Sequence, residues 1–365
     1  MIKKIKNIIY AITVITAIYF CLRYPKDIGQ SIETSINRCM TIIIPSMFIF
    51  MCITTLVTTS GLHKLLGRPF RFISENIFHI PQEGFAIFIL SMISGYPAGI
   101  KLVTDSLKSG DITAEQAKRM NCFCFSSGPA FISGTAAGLL YPNSNAGLII
   151  FLSVTAGNTV TALILSINTP KINKYSDRSL LSINTNCIIP SVKSASSAMI
   201  QMCIMIVAFG GFCCILKLTG ILQFISVFSG NILNKDPNEI YNILMTFLEI
   251  SNVINLPAMN IALMPIVTGL LSFGGICVLM QIISLANDNF SIKMFIQTRI
   301  FAALISGTVC RILMRFLDVQ TVYEVISYKL VSENKYSPIP TILLIFMMII
   351  LLGRFRDSGK IKTDI

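Results

Sequence analysis

Long apolar runs recur along almost the whole chain, at 8–22, 40–60, 84–103, 120–140, 146–168, 197–217, 240–256, 258–286, 295–315 and 338–353. Several approach or exceed the roughly 20 residues that a helix needs to cross about 30 Å of hydrocarbon. In that solvent every backbone N–H and C=O must be satisfied inside the protein, which leaves helices and closed barrels as spanning structures. No period-2 alternation of apolar and polar residues occurs, which argues against a barrel. The sequence therefore predicts an all-α polytopic membrane protein of about 8 to 10 hydrophobic helices. A composition of 53% hydrophobic and 13% charged residues, with mean hydropathy +0.73, is far from that of a soluble domain.

The net charge is +12, but Lys and Arg stand in short polar stretches between the runs and not on one face. That placement marks membrane topology and not a nucleic-acid interface. The eleven cysteines lie mostly inside apolar runs, as Cys203, Cys213, Cys214 and Cys277 do, where they act as small hydrophobes. Cys122 and Cys124, two residues apart, fall on different faces of a helix, and no metal or disulfide spacing is readable. No metal and no cofactor is expected. Lys3, Lys4 and Lys6 precede the run 8–22 in the manner of a signal peptide, yet Tyr19-Phe20-Cys21-Leu22-Arg23 offers no small-residue cleavage site. That run is expected to stay as a first span with a cytoplasmic N-terminus.

Polar stretches divide the chain into five parts: a signal-anchor span and loop (1–35), a first half (36–168), a basic linker (169–195), a second half (196–316), and a last span with a basic tail (317–365). The halves repeat one order of features. Each opens with a span ending at Gly61 or Gly220, continues in an amphipathic piece beginning near His63 or Ile221, and carries Glu83 or Glu239 before the next run. That run breaks at Ser94-Gly95-Tyr96-Pro97-Ala98-Gly99 in one half and at Ser251-Asn252-Val253-Ile254-Asn255-Leu256-Pro257 in the other. A further break follows at Ser126-Ser127-Gly128-Pro129 and at Ser272-Phe273-Gly274-Gly275.

Such breaks free backbone groups that hydrocarbon cannot satisfy, so they must line a protein-walled or wet cavity. Interrupted segments at corresponding places of two halves point to the binding site of a transporter. Kinks that serve only helix packing are the alternative. The basic linker and the tail Arg354, Arg356, Lys360 and Lys362 both become cytoplasmic if 120–140 and 258–286 dip in and return. Three full crossings then remain in each half, an odd number, so the halves are expected to be inverted pseudo-repeats with re-entrant or discontinuous helices. Arg311 and Arg315 then fall outside, against the charge rule.

Glu249 stands inside an apolar run with Ser251, Asn252 and Asn255 just after it. A carboxylate there is expensive and is either functional or paired, which makes it a candidate proton or cation coupling group. Lys101 follows the Gly99 break one turn before Asp105, where it would bind a solute carboxylate or simply pair along its helix. Asn158, Gln201 and Gln281 are single polar groups in spans, in character with helix–helix contacts. No His-Glu-x-x-His, Gly-x-Ser-x-Gly or P-loop motif is present, so neither an enzyme nor an ATP-driven motor is expected.

The string Leu90-Ser91-Met92-Ile93-Ser94-Gly95-Tyr96-Pro97-Ala98-Gly99-Ile100-Lys101, with Gly110-Asp111-Ile112-Thr113-Ala114-Glu115-Gln116-Ala117, resembles the sporulation integral membrane proteins of the YlbJ type. Phe125-Ser126-Ser127-Gly128-Pro129-Ala130-Phe131-Ile132-Ser133-Gly134-Thr135, Phe247-Leu248-Glu249-Ile250-Ser251 and Phe273-Gly274-Gly275 carry the same resemblance, which covers about residues 35 to 315. That family is similar to the nucleoside-recognition or Gate-domain group, parts of nucleoside and ferrous-iron transporters among them. The resemblance implies a multi-pass protein of the mother-cell (outer forespore) membrane in a spore-forming bacterium, moving dipicolinate towards the spore. It departs from the family pattern at Ile276-Cys277-Val278-Leu279-Met280-Gln281, where Leu279-Met280 stand in place of a His before the Gln.

The expected function is transport of a small anionic solute, with a Gate-type carrier of nucleosides or ions, or a non-transporting sporulation scaffold, as alternatives. The expected pathway comprises Ser94, Gly95, Tyr96, Pro97, Gly99, Lys101, Ser127, Gly128, Pro129, Glu249, Ser251, Asn252, Asn255, Gly274, Gly275 and Gln281, with no catalytic and no metal-binding residue. Its partners are the solute and the lipid bilayer, without nucleic acid, and a homo-oligomer is left open.

Overall fold

Helix follows helix wherever the chain is apolar, and the turns fall where glycine or a short polar side chain relieves the backbone. A computed structural model describes residues 2–142, 145–167, 169, 186–286 and 290–317, and no strand occurs among them. Most of the basic linker, the run 338–353 and the basic tail lie outside the described residues.

Helix α1 is Ile2–Arg23 and α2 is Pro25–Thr59, the latter with a π-helical turn at Cys39–Ile43. Helix α3, Leu62–Phe78, meets α4, Gln82–Ser94, at a bend of 98°. Helices α5 (Ala98–Lys108), α6 (Ala114–Met120), α7 (Pro129–Leu140) and α8 (Ala146–Ser166) complete the first half. The second contains α9 (Ile188–Leu218), α10 (Ile221–Leu233), α11 (Pro237–Leu248), α12 (Met264–Phe273), α13 (Gly275–Leu285) and α14 (Ile292–Phe316). Helices α2, α8, α9, α14 and the stretch Ile261–Leu285 are each long and apolar enough to cross a membrane. The bent pair α3–α4 is a further candidate.

Gly61 (φ 82°) and Gly220 (φ 73°) both cap the following helix in the left-handed region, where a Cβ would be strained. His79 (φ 50°) and Asn234 (φ 51°) take the same conformation at the ends of α3 and α10. The amphipathic α3 is pinned beside the loop after α5: Lys64 Nζ lies 2.7 Å and His63 Nε2 3.3 Å from the Asp111 carboxylate. Burial works to raise that carboxyl, and hydrogen bonds from His63, Lys64 and Ser109 outweigh it, holding Asp111 well below the usual carboxylate range.

The long helices of the two halves pair antiparallel. Along α2 and α9, Ser31 Oγ donates to the Gly210 carbonyl (2.9 Å), Cys39 approaches Cys203, and Thr59 Oγ1 lies 2.5 Å from Ser191 Oγ. At about 1.5 Å per residue, the 35 residues of α2 run roughly 50 Å, so its polar start extends past a hydrocarbon layer. Helices α8 and α14 likewise run in opposite senses, with Gly157 against Ala302 and Ser306, and Asn158 against Arg299. Their outer faces expose Leu148, Ile164, Ile300, Leu304 and Ile312, as a lipid-facing surface does.

The four breaks lie against one another. A Cβ on Gly128 would come within 3.0 Å of the Gly95 Cα, and one on Gly275 within 3.1 Å of the Phe247 carbonyl. Ser127 Oγ donates to the Leu271 carbonyl at 2.9 Å, and a Cβ on Gly274 would strike the Phe125 ring. Three expectations need correction. The run 258–286, expected to turn back, continues through the Gly274 kink as one 25-residue stretch long enough to cross. Helix α2 starts inside the segment read as a loop, because Pro25 opens a helix at its first position. Residues 188–195, read as linker, are the first turns of α9, which tolerates Pro190 near its start and buries Ser191 and Ala195.

The α8–α14 contact depends on Gly157. Gly157→Ala would press on Ser306 Oγ and the Ala302 carbonyl and is expected to destabilise the protein by about 1–3 kcal/mol. Gly29→Ala, with nothing within 4 Å, should be neutral or mildly stabilising. Thermal unfolding in detergent, followed by a thiol-reactive dye on the buried cysteines, measures both.

Candidate functional site

The break in the second half is organised around a carboxylate. Helix α11 ends because Glu249 leaves helical geometry (φ −141°, ψ 113°), and a 3₁₀ turn, Ile250–Asn255, follows. The Glu249 side chain caps that turn, accepting the Ser251 N–H at 3.0 Å and the Ser251 hydroxyl through a short bond. Opposite it, Arg38 stands on the turn before the π-helical stretch of α2. Its Nη1 donates to Ser251 Oγ (2.8 Å) and Asn252 Oδ1 (3.0 Å) and lies 3.4 Å from Glu249 Oε2. Asn252 Nδ2 in turn donates to the Met245 carbonyl at 3.2 Å. Glu249 is only 4% exposed, so its charge is met by a cation and two hydrogen bonds, as burial requires.

Two cavities meet at this cluster. On one side a cleft of about 530 Å³ opens between the start of α2, the end of α9 and α11, lined by Asp27, Thr34, Arg38, Lys217, Tyr241, Glu249 and Asn252 among others. On the other a cavity of about 20 Å³ lies between Met47, Tyr96, Phe131, Met202, Val278 and Gln281 and also touches Glu249 and Ser251. Glu249 therefore stands between the two. Gln281 Oε1, which is buried, has no hydrogen-bond partner among the described residues.

The structure brings Glu249, Ser251 and Asn252 into one network, with Asn255 exposed at the cleft edge. Tyr96 and Gln281 line the inner cavity. Gly95, Ser127, Gly128, Gly274 and Gly275 form the close backbone contacts behind it, and Gly99 packs on the Cys124 carbonyl. Pro97 and Pro129 start α5 and α7, and Ser94 is buried with no partner for its hydroxyl among the described residues. Lys101 is not part of the site. Its Nζ pairs with Asp105 at 2.5 Å, one turn along α5, beside a separate cavity shared with Lys193 and Gln201. The i,i+4 spacing, not the break, decides where that ammonium goes. Gln201 Nε2 bonds Ser284 Oγ at 3.0 Å and so joins α9 to α13.

Two arginines escaped the sequence reading. Arg38 lies in a polar stretch before an apolar run and passes for an interfacial charge. Arg299, fully buried in α14, donates through Nη1 to Asn158 Oδ1 (2.8 Å) and, more weakly, to the Phe125 carbonyl (3.5 Å). Its Nη2 makes a short bond to the Cys122 carbonyl. Its guanidinium carbon sits 5.0 Å from the Phe125 ring centre and 5.8 Å from that of Phe295, and no carboxylate among the described residues pairs with it. A charged residue within a span is itself the signal that could have found it.

Comparison with curated proteins finds 25% identity over 142 residues with the sporulation integral membrane protein YlbJ of Bacillus subtilis (strain 168). The chain is similar to a sporulation integral membrane protein over that stretch. The alignment takes in 39% of this chain and 35% of YlbJ, so the chain spans about a third of the length of the relative it matches. No family model and no solved structure matches it. With its apolar helices, the similarity to YlbJ makes this a multi-pass membrane protein.

Arg299→Lys keeps the charge and loses the fork that reaches Asn158 and Cys122 together. It is expected to cost about 1.5–3 kcal/mol for each charged hydrogen bond lost. The expected readout is a lower unfolding temperature in detergent and earlier labelling of Cys122 and Cys124, both buried in the native fold.

Proposed function

We propose that this protein carries a small carboxylate solute across the membrane, most specifically dipicolinate during endospore formation, and performs no covalent chemistry. Arg38 carries the reading. One of its terminal nitrogens is held by Ser251, Asn252 and Glu249, while its Nε and Nη2 have no hydrogen bond among the described residues and the side chain lines the cleft. That edge of a guanidinium matches a carboxylate in a two-bond fork. The cleft volume of about 530 Å³ lies within the range of small-molecule sites, roughly 300–1,000 Å³. Lys217 on the same cleft offers a second cation to a dicarboxylate such as dipicolinate.

The halves are read as inverted repeats, a reading supported by the antiparallel α2–α9 and α8–α14 pairs and by the matching left-handed caps at Gly61 and Gly220. Four adjoining breaks between such halves are the arrangement in which transporters hold solute. The likeness to YlbJ supports a place in sporulation, and the mother-cell membrane around the forespore is the location we propose.

Uptake of labelled dipicolinate into proteoliposomes tests the proposal. Wild-type protein should carry it, Arg38→Gln should reduce uptake by at least tenfold at equal protein level, and Lys101→Ala should retain most of it. Cells lacking the protein should make spores poor in dipicolinate while the mother cell still synthesises it. Uptake of a nucleoside in its place would favour a Gate-type nucleoside carrier, and no flux of any solute would favour a scaffold.

A further inference from the structure

We propose that Glu249 couples this carrier to protons by competing with the solute's carboxylate for Arg38, so that each solute molecule enters together with one proton. The inference rests on the carrier reading above. It starts from an occupied cation: the guanidinium that faces the cleft already has a carboxylate 3.4 Å from Nη1. The charged side chains lining the cleft are Arg38 and Lys217 against Asp27 and Glu249, which balance. A solute carboxylate arriving at Arg38 would leave two carboxylates on one guanidinium beside the buried end of the cleft, where repulsion is poorly screened. One of them must take up a proton or leave. Asp27 is exposed at the mouth, whereas Glu249 is buried against the same nitrogen, so Glu249 is the group that the solute displaces.

Among the described residues, the titratable groups that interact with the Glu249 charge leave no other proton acceptor at neutral pH. They are Arg38 and Cys39 from α2, Tyr96 from the first break, Cys213 from α9 and Cys277 from α13. Thiols and phenols are neutral at pH 7 and arginine keeps its proton. In the exchange, a proton from water in the cleft binds Glu249 Oε2, the oxygen now shared by Arg38 and Ser251. The contact with Arg38 opens and the solute carboxylate takes the guanidinium. Ser251 Oγ, at present a donor to Glu249, can accept from the new carboxyl O–H and turn its own hydrogen to the solute. Charge in the cluster is the same before and after: one guanidinium and one carboxylate. The displaced Glu249 is also the group that separates the cleft from the inner cavity around Tyr96 and Gln281, so the same exchange removes the salt bridge that holds it there.

The test uses the full chain in proteoliposomes loaded with a pH-sensitive dye, with dipicolinate added outside and protein-free liposomes as background. Wild-type protein should acidify the lumen as dipicolinate enters, and uptake should fall by up to tenfold, or about 1.4 kcal/mol, per pH unit on the alkaline side. Whatever dipicolinate uptake Glu249→Gln retains should have a flat pH profile and no lumen acidification. Should this variant fail to fold, the wild-type proton flux still decides. Dipicolinate uptake with no proton movement and no pH dependence would overturn the coupling and leave the carrier standing. Absence of any uptake by folded wild-type protein would overturn the carrier reading, and this inference with it.

Discussion

The fold depends on keeping broken helices hydrogen-bonded in a place without water, and Arg299 is where that constraint is met most directly. The chain from Asn121 to Ser127 leaves helical geometry in the buried interior, and no backbone N–H of a next turn is recorded on its carbonyls among the described residues. A single guanidinium reaches two of them, at Cys122 and Phe125, while Asn158 bonds both the arginine and the Phe125 carbonyl. A buried cation without a carboxylate is costly. Here two aromatic faces and three oxygen acceptors from α14's neighbours stand in for the missing anion. Helices α8 and α14 approach closely at Gly157 because a glycine there leaves room for the Ala302 carbonyl and the Ser306 side chain.

Arg38 solves the same problem with the opposite accounting. The 3₁₀ turn after α11 leaves Ser251 and Asn252 facing α2, and Arg38 ties both down while meeting a true carboxylate. Arg299 spends its terminal nitrogens on the protein, and its Nε is buried without a partner among the described residues. Arg38 spends one nitrogen on the protein and lines the cleft. The first fixes a loop. The second is placed where a solute can reach it.

Much of this was legible in the sequence, for reasons that stop where side-chain direction begins. The apolar runs locate the helices because hydrocarbon fixes their length and composition. Gly95, Gly128, Gly274 and Gly275 are readable as breaks because all four have positive φ, which other residues adopt only with strain. Glu249 is readable because a carboxylate in an apolar run needs a reason. Its partner is not, since Arg38 lies 211 positions away in the chain and meets Glu249 only in the folded protein. Lys101 misleads because nearness to Gly99 in sequence says nothing of where a long flexible side chain turns, and Asp105 is one turn away. The run 258–286 misleads in a different way: glycines at 274 and 275 permit a reversal, but the chain uses them for a kink against Phe125 and Phe247.

The two breaks facing the inner cavity are held unequally, and on the carrier reading that inequality has a consequence. The first-half break is locked by contacts internal to the protein: Gly95 against Gly128, Ser127 on the Leu271 carbonyl, and Phe125 stacked on Tyr96 at 4.8 Å beneath Arg299. None of these reaches the cleft. The second-half break is held by Arg38, Glu249 and Asn252, all of which line the cleft and are open to exchange with a charged solute. A ligand can shift an equilibrium only by interacting differently with its two states, so the contacts it can replace mark the part that responds. Solute binding therefore acts on the turn after α11 and on the pairing of α2 with it, while the clamped loop before α7 serves as the fixed wall against which that turn moves.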